Sequence, residues 1–471
     1  MSRYFFVLML FFLPVSTWAN DVDMKHLNPL LDGIMKPHRV LIDIRSKHSD
    51  GEHDMSTLIA LAEKRGVESM AFTEHDRFSI RFGIDPIPQW LGYSQQHPSL
   101  YTTGLMAFFD DLKKQRLQHP EIQLFGGTES IPGYDWTGIP FQNLVLHNVE
   151  RHMISLGIEK PEQVKGLTSY DLSYGLGDRT ISLSFWCALM FISVMFFLLK
   201  RKRGMALLMV ASMTAFLATW LMKPKVDIDA AWIESAKNQS LFTIWTHPGT
   251  LSGVRSGPLG VQLDTPPYSQ RVFEEPTADA FAAVYGDTDL NTLAGGLWDR
   301  YLMDYMHGYH AKPIWAVAAG DFHAEGQSGE YLGNFPMDVW SEDAKPVHVL
   351  EALQAGHMVA WGMGQHDNIA VKVLFLKDSA GHILQVGDEG WVKSPVQVVV
   401  ALQEHIKRPS LVQRLQGQWI VDGHTVEKVG LRVDAKPTVV SLPLEKGVHV
   451  IRFQIKQGVR LVANPFLVHV E

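Results

Sequence analysis

The chain has 471 residues, of which 46% are hydrophobic, and this length is sufficient for two or three domains with cores of their own. Its 42 basic and 50 acidic residues give a net charge of −8, which excludes a protein that coats nucleic acid through a basic surface. The single cysteine excludes an internal disulfide framework, and no short repeat or low-complexity segment is present.

The first 19 residues are typical of an export signal. Arg3 precedes the apolar run 5–15, and the triplet 17–19 resembles a small-residue cleavage site. The run is shorter than the roughly 20 residues that span a bilayer, so we predict a cleaved signal peptide at 1–19, with an uncleaved anchor as the alternative. We therefore expect the residues that follow to be exported.

The first segment with recognisable chemistry is an apolar run at 40–44, followed by a Ser-Asp-Gly turn at 49–51. Residues 55–65 have apolar side chains at helical spacing, and a second apolar run, 70–72, ends near His75. A β-loop-α-β unit of this kind predicts parallel strands whose C-terminal ends meet at one rim. Barrel enzymes carry their catalytic residues at such a rim.

Five further apolar segments each lead to His, Asp or Glu. A strand that merely ends at a turn stops more often at Gly, Asn or Ser, so the recurrence predicts a rim lined with metal ligands. The segments are 123–127 before Glu129, 141–146 before His147 and His152, 241–246 before His247, 281–285 before Asp287, and 314–319 before Asp321 and His323.

Two uncharged apolar runs, 181–199 and 205–222, are separated by the basic tetrapeptide 200–203 and a glycine. Runs of this length with a short basic connection predict a transmembrane helical hairpin whose turn is cytoplasmic. Two buried core helices are the alternative, which is disfavoured because a core helix rarely lacks a polar face. Both flanks of the hairpin then lie outside, so the hairpin is an insertion into a loop of the catalytic body.

Four more helices and a strand-rich C-terminal part are predicted from the spacing of apolar side chains. The helices are 100–119, 227–238, 291–310 and 347–356. The strands are 370–375, 396–402, 418–421, 438–442 and 448–455, and turn signals separate them. Such a run of short strands predicts a small antiparallel β-sandwich after the catalytic body.

The ordered motifs resemble those of the PHP (polymerase and histidinol phosphatase) superfamily over about residues 39–361. The resemblance is carried by Ser49-Asp-Gly51, Thr73-Glu-His-Asp76, Glu129, His152 before Gly157, His247-Pro248 and Gly320-Asp-Phe-His323. It implies a distorted (β/α)7 barrel that holds two or three metal ions and hydrolyses phosphoesters. The chain departs from the family pattern where Asp43-Ile44-Arg45 replaces the opening His-x-His.

The predicted site consists of carboxylates and imidazoles, the usual ligands of Zn, Mn or Fe, in a number that suits two ions. Residues i and i+2 of a strand face the same way, so Asp43 is expected to point inward with Arg45, and Asp321 with His323. Asp50 is expected to cap the following turn and to support the metal ligands without being one of them. The predicted ligands are Asp43, His75, Glu129, His152, His247, Asp321 and His323.

Arg45 and Asp321 are the predicted catalytic residues. A guanidinium stays protonated and cannot bind a metal ion, so Arg45 either clamps an anionic substrate through its planar fork or pairs with Asp43 in a site that has decayed. Arg255, in the glycine-rich loop 250–262, is either a solvated loop residue or a second cation facing an anionic substrate.

The predicted organisation is α/β, with a distorted (β/α)7 barrel of PHP type that a transmembrane hairpin interrupts and a C-terminal all-β sandwich-like domain follows. The segments are the signal peptide 1–19, the barrel 20–180 and 223–367, the hairpin 181–222 and the β domain 368–471. We expect a metal-dependent phosphoesterase with a small ester substrate and no nucleic-acid partner. It would be held in a bacterial inner membrane with its catalytic body in the periplasm.

Two alternatives belong to other classes. One is a metallo-hydrolase of carboxylic or carbamic esters, and the other is a binding or sensor protein whose metal site has decayed. A basic cavity lining would favour the phosphoesterase, an apolar lining the second enzyme, and absence of metal after purification the sensor.

Overall fold

The computed structural model of the protein describes residues 36–139, 142–169, 176–177, 179–200, 203–221, 227–249, 253–274, 277–285, 290–327, 330–406, 410 and 413–471. The predicted signal peptide at 1–19 lies outside the described residues, as do Asp287 and residues 201–202 of the basic turn.

The first part of the chain alternates strands with helices, as its apolar spacing predicts. Helix α1 begins after Asp54, whose side chain accepts a hydrogen bond of 2.8 Å from the Thr57 amide and so caps the helix. The predicted helix 100–119 is interrupted at Gly104, whose φ of 115° is incompatible with a helix. The elements are β1 Pro37–Ile44, α1 Met55–Lys64, β2 Ser69–His75, β3 Ser79–Gly83, β4 Gly92–Gln96, α2 Leu100–Thr103, α3 Leu105–Gln118 and β5 Gln123–Ser130.

The second part contains short strands and two long apolar helices. These are β6 Asp135–Thr137, β7 Val145–His147, β8 Met153–Ile158, α4 Pro161–Gly166, β9 Leu176–Gly177, α5 Arg179–Lys200 and α6 Arg203–Leu221. By length and composition, α5 and α6 could each cross a membrane, and only 17% and 11% of their apolar windows are buried. Helices of the protein core would be mostly buried, so the core-helix alternative does not describe them.

The third part returns to strands and helices of the catalytic body. Its elements are α7 Ile228–Lys237, β10 Phe242–Trp245, β11 Val254–Ser256, β12 Gln262–Asp264, α8 Ser269–Val272, β13 Ala280–Val284, α9 Leu297–Met306, β14 Trp315–Ala318, β15 Met337–Trp340, α10 Pro346–Ala355 and β16 Met358–Gly362. Two 3-10 helices, Pro258–Gly260 and Leu290–Thr292, lie between them. The predicted helix 291–310 is therefore a 3-10 turn followed by the shorter α9.

Seven strands of the main sheet follow one another in the order β1-β2-β5-β8-β10-β13-β14. A parallel bridge between Ile44 and Phe322 links the two ends of this series. It is supported by backbone hydrogen bonds of 3.0 Å from the Arg45 amide to the Phe322 carbonyl and from the Phe322 amide to the Asp43 carbonyl. The fold is thus mixed α/β, and the C-terminal ends of β1, β2, β5 and β14 lie at the same edge of the sheet.

Strand β8 corrects one sequence-based expectation. The segment 141–146 was expected to form the strand that leads to His147, but the main-sheet strand is β8, which begins after His152 and runs antiparallel to β5 and β10. Ser130, at the end of β5, pairs with Met153, at the start of β8. His152 therefore reaches the same edge as Glu129 because β8 runs in the opposite direction.

The C-terminal part is all-β in its described residues, with a core between two layers that includes Trp419 and Phe453. Its strands are β17 Ile369–Lys377, β18 Ile383–Gln385, β19 Glu389–Val392, β20 Val396–Glu404, β21 Arg414–Val421, β22 His424–Arg432, β23 Thr438–Leu442, β24 Gly447–Ile455, β25 Arg460–Ala463 and β26 Phe466–Val470. One layer, β18-β17-β20-β23, is a sheet of its own.

The other C-terminal layer differs from the expected separate, antiparallel sandwich. Strand β25 pairs with β16 and so continues the main sheet, while β19 and β26 are parallel. The Asn464 side chain bonds to the amide and the carbonyl of Ala316 at 2.7 and 3.1 Å, which fastens this layer to β14.

A smaller module stands beside the ends of the main-sheet strands. It consists of the β3-β4 hairpin and a five-stranded sheet in the order β11-β12-β7-β6-β9, and we call it the rim module. Its apolar core includes Tyr134 and Trp136, and Ile181 of helix α5 packs against the same core. The rim module therefore lies between the long apolar helices and the catalytic body.

Candidate metal centre

Side chains of His, Asp and Glu converge where β1, β2, β5 and β14 end and β8 begins. They form three groups whose possible ligand atoms lie within 4.8 Å of one another. The groups are Asp50 with His75 and His323, Glu129 with His152 and His247, and Asp43 with His247 and Asp321. All the ligands predicted from the sequence are brought together, and Asp50 joins them.

Glu129 lies at the centre of the cluster and is fully buried at the end of β5. One carboxylate oxygen lies 3.2 Å from His152 Nδ1 and 3.4 Å from His247 Nε2. The other oxygen lies 3.6 Å from His75 Nε2. A single carboxylate therefore contacts three imidazoles, an arrangement that suits metal ligation.

The third group is built on unusual backbone. Asp43, His247 and Asp321 all have positive φ angles, of 66°, 32° and 44°. Non-glycine residues rarely adopt such angles, which cost about 1–3 kcal/mol each and occur most often at functional sites. Strand alternation therefore does not explain their orientation, since β1 shifts register after Leu41, and Asp321 and His323 lie beyond the end of β14.

Asp50 corrects a second expectation, because it faces the metal cluster instead of capping its turn. Its Oδ2 lies 3.3 Å from His323 Nε2 and 3.5 Å from His75 Nε2. Burial alone would raise the pKa of Asp50, but the His323 hydrogen bond and the nearby charges of His75 and Arg45 hold it well below its usual range. Asp50 is therefore ionised at neutral pH, as a metal ligand must be.

Glu74 holds the loop that presents Asp50, and the sequence analysis missed it. Its buried carboxylate accepts hydrogen bonds from the Ser46 amide at 3.0 Å and from the Ser46 and Ser49 hydroxyls. Burial raises the pKa of Glu74 in spite of these bonds. The sequence indicates only that Glu74 precedes His75 in β2, so that the two side chains lie on opposite faces of the strand. This position does not reveal that Glu74 holds the loop.

Arg45 is fully buried among the carboxylates of the cluster. It forms an ion pair with Glu129 and lies 2.9 Å from Asp321 and 3.4 Å from Asp43. Burial lowers the pKa of Arg45, but the charges of Asp321 and Asp43 more than offset this and raise it. The guanidinium is absent from the cavity lining, so Arg45 is placed to pair with the carboxylates and not to clamp a substrate.

Several polar atoms of the cluster are buried without a hydrogen bond of ordinary geometry to any described residue. They are both oxygens of Glu129, both ring nitrogens of His152, His247 Nε2 and Asp43 Oδ1. Leaving such a group unpaired costs about 1–3 kcal/mol, which a bound cation would offset. Burial and the nearby His247 also lower the pKa of His152 to about 3, so its ring is neutral and able to bind metal. The residues present therefore fit divalent metal ions.

Hydrogen bonds from outside the groups orient two of the ligands. His323 donates from Nδ1 to the Asp321 carbonyl at 2.7 Å, which leaves Nε2 directed at Asp50. The Tyr285 hydroxyl donates to Asp321 Oδ2 at 3.0 Å. Supports of this kind fix ring orientation and tautomer in metal sites.

Other histidines that are close in sequence to these ligands lie elsewhere. His147 Nε2 bonds to the Thr137 hydroxyl at 2.9 Å, and His48 Nε2 lies 3.1 Å from Asp111. Neither belongs to a ligand group, and neither does His53.

A cavity of about 770 Å³ opens in front of the cluster. Its floor includes Asp50, His75 and Asp321, and one wall is formed by Phe78, Ile80 and Leu263 of the rim module together with residues 255–258. Arg255 lines this wall and forms an ion pair with Glu150. The Arg255 side chain is 55% exposed, so it is in contact with solvent and also borders the cavity.

No protein-family model matches the sequence, and no curated protein matches it. Among solved structures, the chain is similar to a two-domain protein from Bacteroides vulgatus described as containing a predicted PHP-like metal-dependent phosphoesterase, with 11% identity, coverage of 92% of this chain and 95% of that chain, and a TM-score of 0.35. A protein from Bifidobacterium adolescentis described as a metal-dependent phosphoesterase has 13% identity, coverage of 61% and 88%, and a TM-score of 0.27.

An amidohydrolase from Chromobacterium violaceum, with bound sulfate and no metal, has 13% identity, coverage of 68% of this chain and 96% of that chain, and a TM-score of 0.30. Because all three TM-scores are below 0.5, the function of this chain has to be inferred from its own site.

Proposed function

We propose that the protein is a metal-dependent phosphoesterase of the PHP type. The observation that carries this proposal is the set of three ligand groups with unpaired buried atoms at the floor of a cavity. The same residues supply the ordered motifs of the sequence, from the Ser49 turn to His323. A decayed sensor site would have no reason to keep Asp43, His247 and Asp321 in strained backbone conformations beside the ligands.

The proposed fold is a distorted (β/α)7 barrel. Support comes from the seven strands in series and from the bridge between Ile44 and Phe322 that links their ends. The antiparallel β8 is the main source of the distortion.

Two divalent ions of Zn, Mn or Fe would be held by Asp50, His75 and His323 and by Glu129, His152 and His247. The third group shares His247, and its carboxylates already face the Arg45 guanidinium, so it is not proposed to bind an ion. When bound, such ions supply a nucleophilic water at neutral pH and offset negative charge on the substrate.

Residues of the chain would bind and orient the substrate in the cavity. Arg255 lines the cavity wall and offers a planar donor pair that matches a phosphate group, which favours a phosphoester over a neutral carboxylic or carbamic ester. Asp321 also lines the cavity. Burial raises the pKa of Asp321, but Arg45 and His247 more than offset this and lower it. Its ionised carboxylate can accept a hydrogen bond from the attacking water.

The proposed anchor is the helical pair α5 and α6, with the catalytic body on the periplasmic side of a bacterial inner membrane. Support comes from the length and apolar composition of both helices and from the basic residues at 200–203 between them. The export signal predicted at 1–19 is consistent with the same orientation.

An activity panel tests the proposed function. The full chain, purified in detergent and supplied with Zn or Mn, should hydrolyse a generic phosphoester such as p-nitrophenyl phosphate in preference to p-nitrophenyl acetate. His247→Ala should lower this activity by about two orders of magnitude or more, because it removes a ligand, and His147→Ala should not. Hydrolysis of the acetate alone, or equal activity in both variants, would reject the proposal.

A further inference from the structure

The apolar helices are fastened to the rim module as well as joined to it by the chain. The Asp85 amide donates to the Ser182 hydroxyl at 3.1 Å, and the Asp85 carbonyl accepts from Trp186 Nε1 and, at 3.1 Å, from the Thr219 hydroxyl. Ser182 and Thr219 are fully buried by these contacts. The contacts lie at the ends of α5 and α6 that are farthest from the basic turn, so the helices fix the orientation of the rim module.

The same module forms one wall of the cavity. Ile181 of α5 packs against the apolar core of the rim module. That core also contains Ile80, and Phe78 and Leu263 pack against it; all three side chains line the cavity. A continuous apolar layer therefore extends from the first turn of α5 to the cavity wall.

Strand directions show which end of the module lies toward the bilayer. Strand β9 ends at Gly177, two positions before α5 begins at Arg179, and β6 is parallel to β9. Strand β7 is antiparallel to β6, β12 is parallel to β7, and β11 is antiparallel to β12. Strand β11 therefore also runs toward the apolar helices. The turn that follows it, residues 257–260, lies at this end of the sheet, and Ser256, Gly257 and Pro258 line the cavity.

Three large apolar side chains are exposed around this end of the module. Trp90 is 78% exposed in the loop that carries Asp85, Ile139 is 52% exposed just after β6, and Leu259 is 54% exposed in the turn after β11. Leu259 has a φ of 57°, an uncommon angle for a side chain with no polar group to favour it. Exposed apolar patches mark interaction surfaces, and tryptophan is enriched at membrane interfaces.

We propose that Trp90, Ile139 and Leu259 rest on the bilayer surface and that the cavity takes the phosphoester headgroup of a membrane amphiphile. The proposal rests on the phosphoesterase function and the membrane anchor proposed above. The bilayer is the occupant of this surface because the surface is continuous with the two apolar helices. Arg255 and the metal centre suit an anionic headgroup, while Phe78, Ile80 and Leu263 offer apolar contact to the adjoining chain of the amphiphile.

The reaction is a hydrolysis and needs no further reactant. The oxygen of water forms a bond to phosphorus, and the ester bond from phosphorus to the alcohol oxygen breaks. A proton from the water ends on that alcohol oxygen, so the apolar alcohol stays in the bilayer and the phosphate product leaves to water.

Fluorescent labels test the orientation without reference to activity. Cys187 is the only cysteine, so Cys187→Ser gives a background for Ile139→Cys, Leu259→Cys and the control Val426→Cys, which is 46% exposed on β22. The labelled full chain is placed in phosphatidylcholine nanodiscs that contain spin-labelled lipid. The lipid quencher should quench the labels at 139 and 259 but not at 426. Quenching of 139 and 259 only by a water-soluble quencher would overturn the proposal.

Turnover tests the substrate class on the metal-loaded full chain, with phosphatidic acid in phosphatidylcholine vesicles compared with p-nitrophenyl phosphate. Leu259→Asn removes the apolar side chain, and asparagine tolerates the positive φ at this position. The variant should hydrolyse phosphatidic acid in vesicles about tenfold more slowly than the wild-type protein and p-nitrophenyl phosphate at the same rate. Val426→Asn should change neither. Hydrolysis of the soluble ester alone would overturn the substrate class. If neither ester is hydrolysed, the phosphoesterase proposal fails and the substrate class with it, while the labels still decide the orientation.

Discussion

Replacement of Arg45 by methionine removes a buried positive charge and keeps most of the side-chain volume. The guanidinium lies 2.9 Å from Asp321 and 3.4 Å from Asp43 and forms an ion pair with Glu129; Arg45, Asp43 and Glu129 are fully buried, and Asp321 is partly exposed to the cavity. Removing one partner of a buried ion pair costs about 3–5 kcal/mol, because the opposite charge is left without compensation. We expect a loss of this size in the free energy of unfolding of the metal-free protein.

Divalent ions should restore much of the stability that Arg45→Met loses. A cation bound beside Glu129 compensates one of the carboxylates that Arg45 pairs with, and ligands that bind only the folded state raise its stability by mass action. Thermal unfolding of the full chain in detergent, followed by tryptophan fluorescence after chelation and after addition of Zn or Mn, gives both quantities. The stabilisation by metal should be larger in Arg45→Met than in the wild-type protein.

Arg45→Lys is the matched control, because it keeps the charge and loses only the planar fork. Its metal-free stability should fall between those of the wild-type protein and Arg45→Met. If metal-free Arg45→Met is as stable as the wild-type protein, Arg45 does not compensate the cluster and its proposed role is refuted.

Three further predictions concern other parts of the molecule. Glu74→Gln should weaken metal binding by about tenfold through the loop that Glu74 holds, measured by calorimetry, and unchanged affinity would contradict that role. A reporter fused after Arg203 should behave as cytoplasmic and one at the C-terminus as exported, and both on one side would reject the hairpin. Burial lowers the pKa of His449, but its 2.7 Å contact with Asp422 outweighs this and raises it. The contact between protonated His449 and Asp422 therefore stabilises the folded protein below the unfolded pKa of about 6.5, and this stabilisation is lost as pH rises through the folded pKa. His449→Gln should thus lower Tm more at pH 5.5 than at pH 8.5, and an equal loss at both would contradict it.

Most of the candidate site could be predicted from the sequence because ligands at the ends of parallel strands meet at one edge whatever the details of the loops. His75 and Glu129 are of this kind. The role of Asp50 could not be predicted, because hydrogen bonds from Ser46 and Ser49 to Glu74 shape its loop. The place of Arg45 depends on carboxylates that are far apart in the sequence and close only in the fold.

The fold was predictable where side-chain spacing carries the information, and less so where strand direction does. Helix α1 and strand β23 lie where their patterns predict them. The apolar pattern of a strand such as β8 is the same whether the strand runs parallel or antiparallel to its neighbours. Its antiparallel pairing with β5 therefore could not be predicted from the sequence. The continuation of the main sheet through β25 likewise depends on long-range contacts, among them those of Asn464.

Elemental analysis of the full chain, purified without chelator, tests the central claim most directly. The wild-type protein should carry about two ions of Zn, Mn or Fe, and Glu129→Gln should lose at least one of them because Glu129 contacts three of the imidazoles. His147→Gln, outside the ligand groups, should keep both. A wild-type protein without metal, or a Glu129→Gln variant that retains its full metal content, would contradict the account.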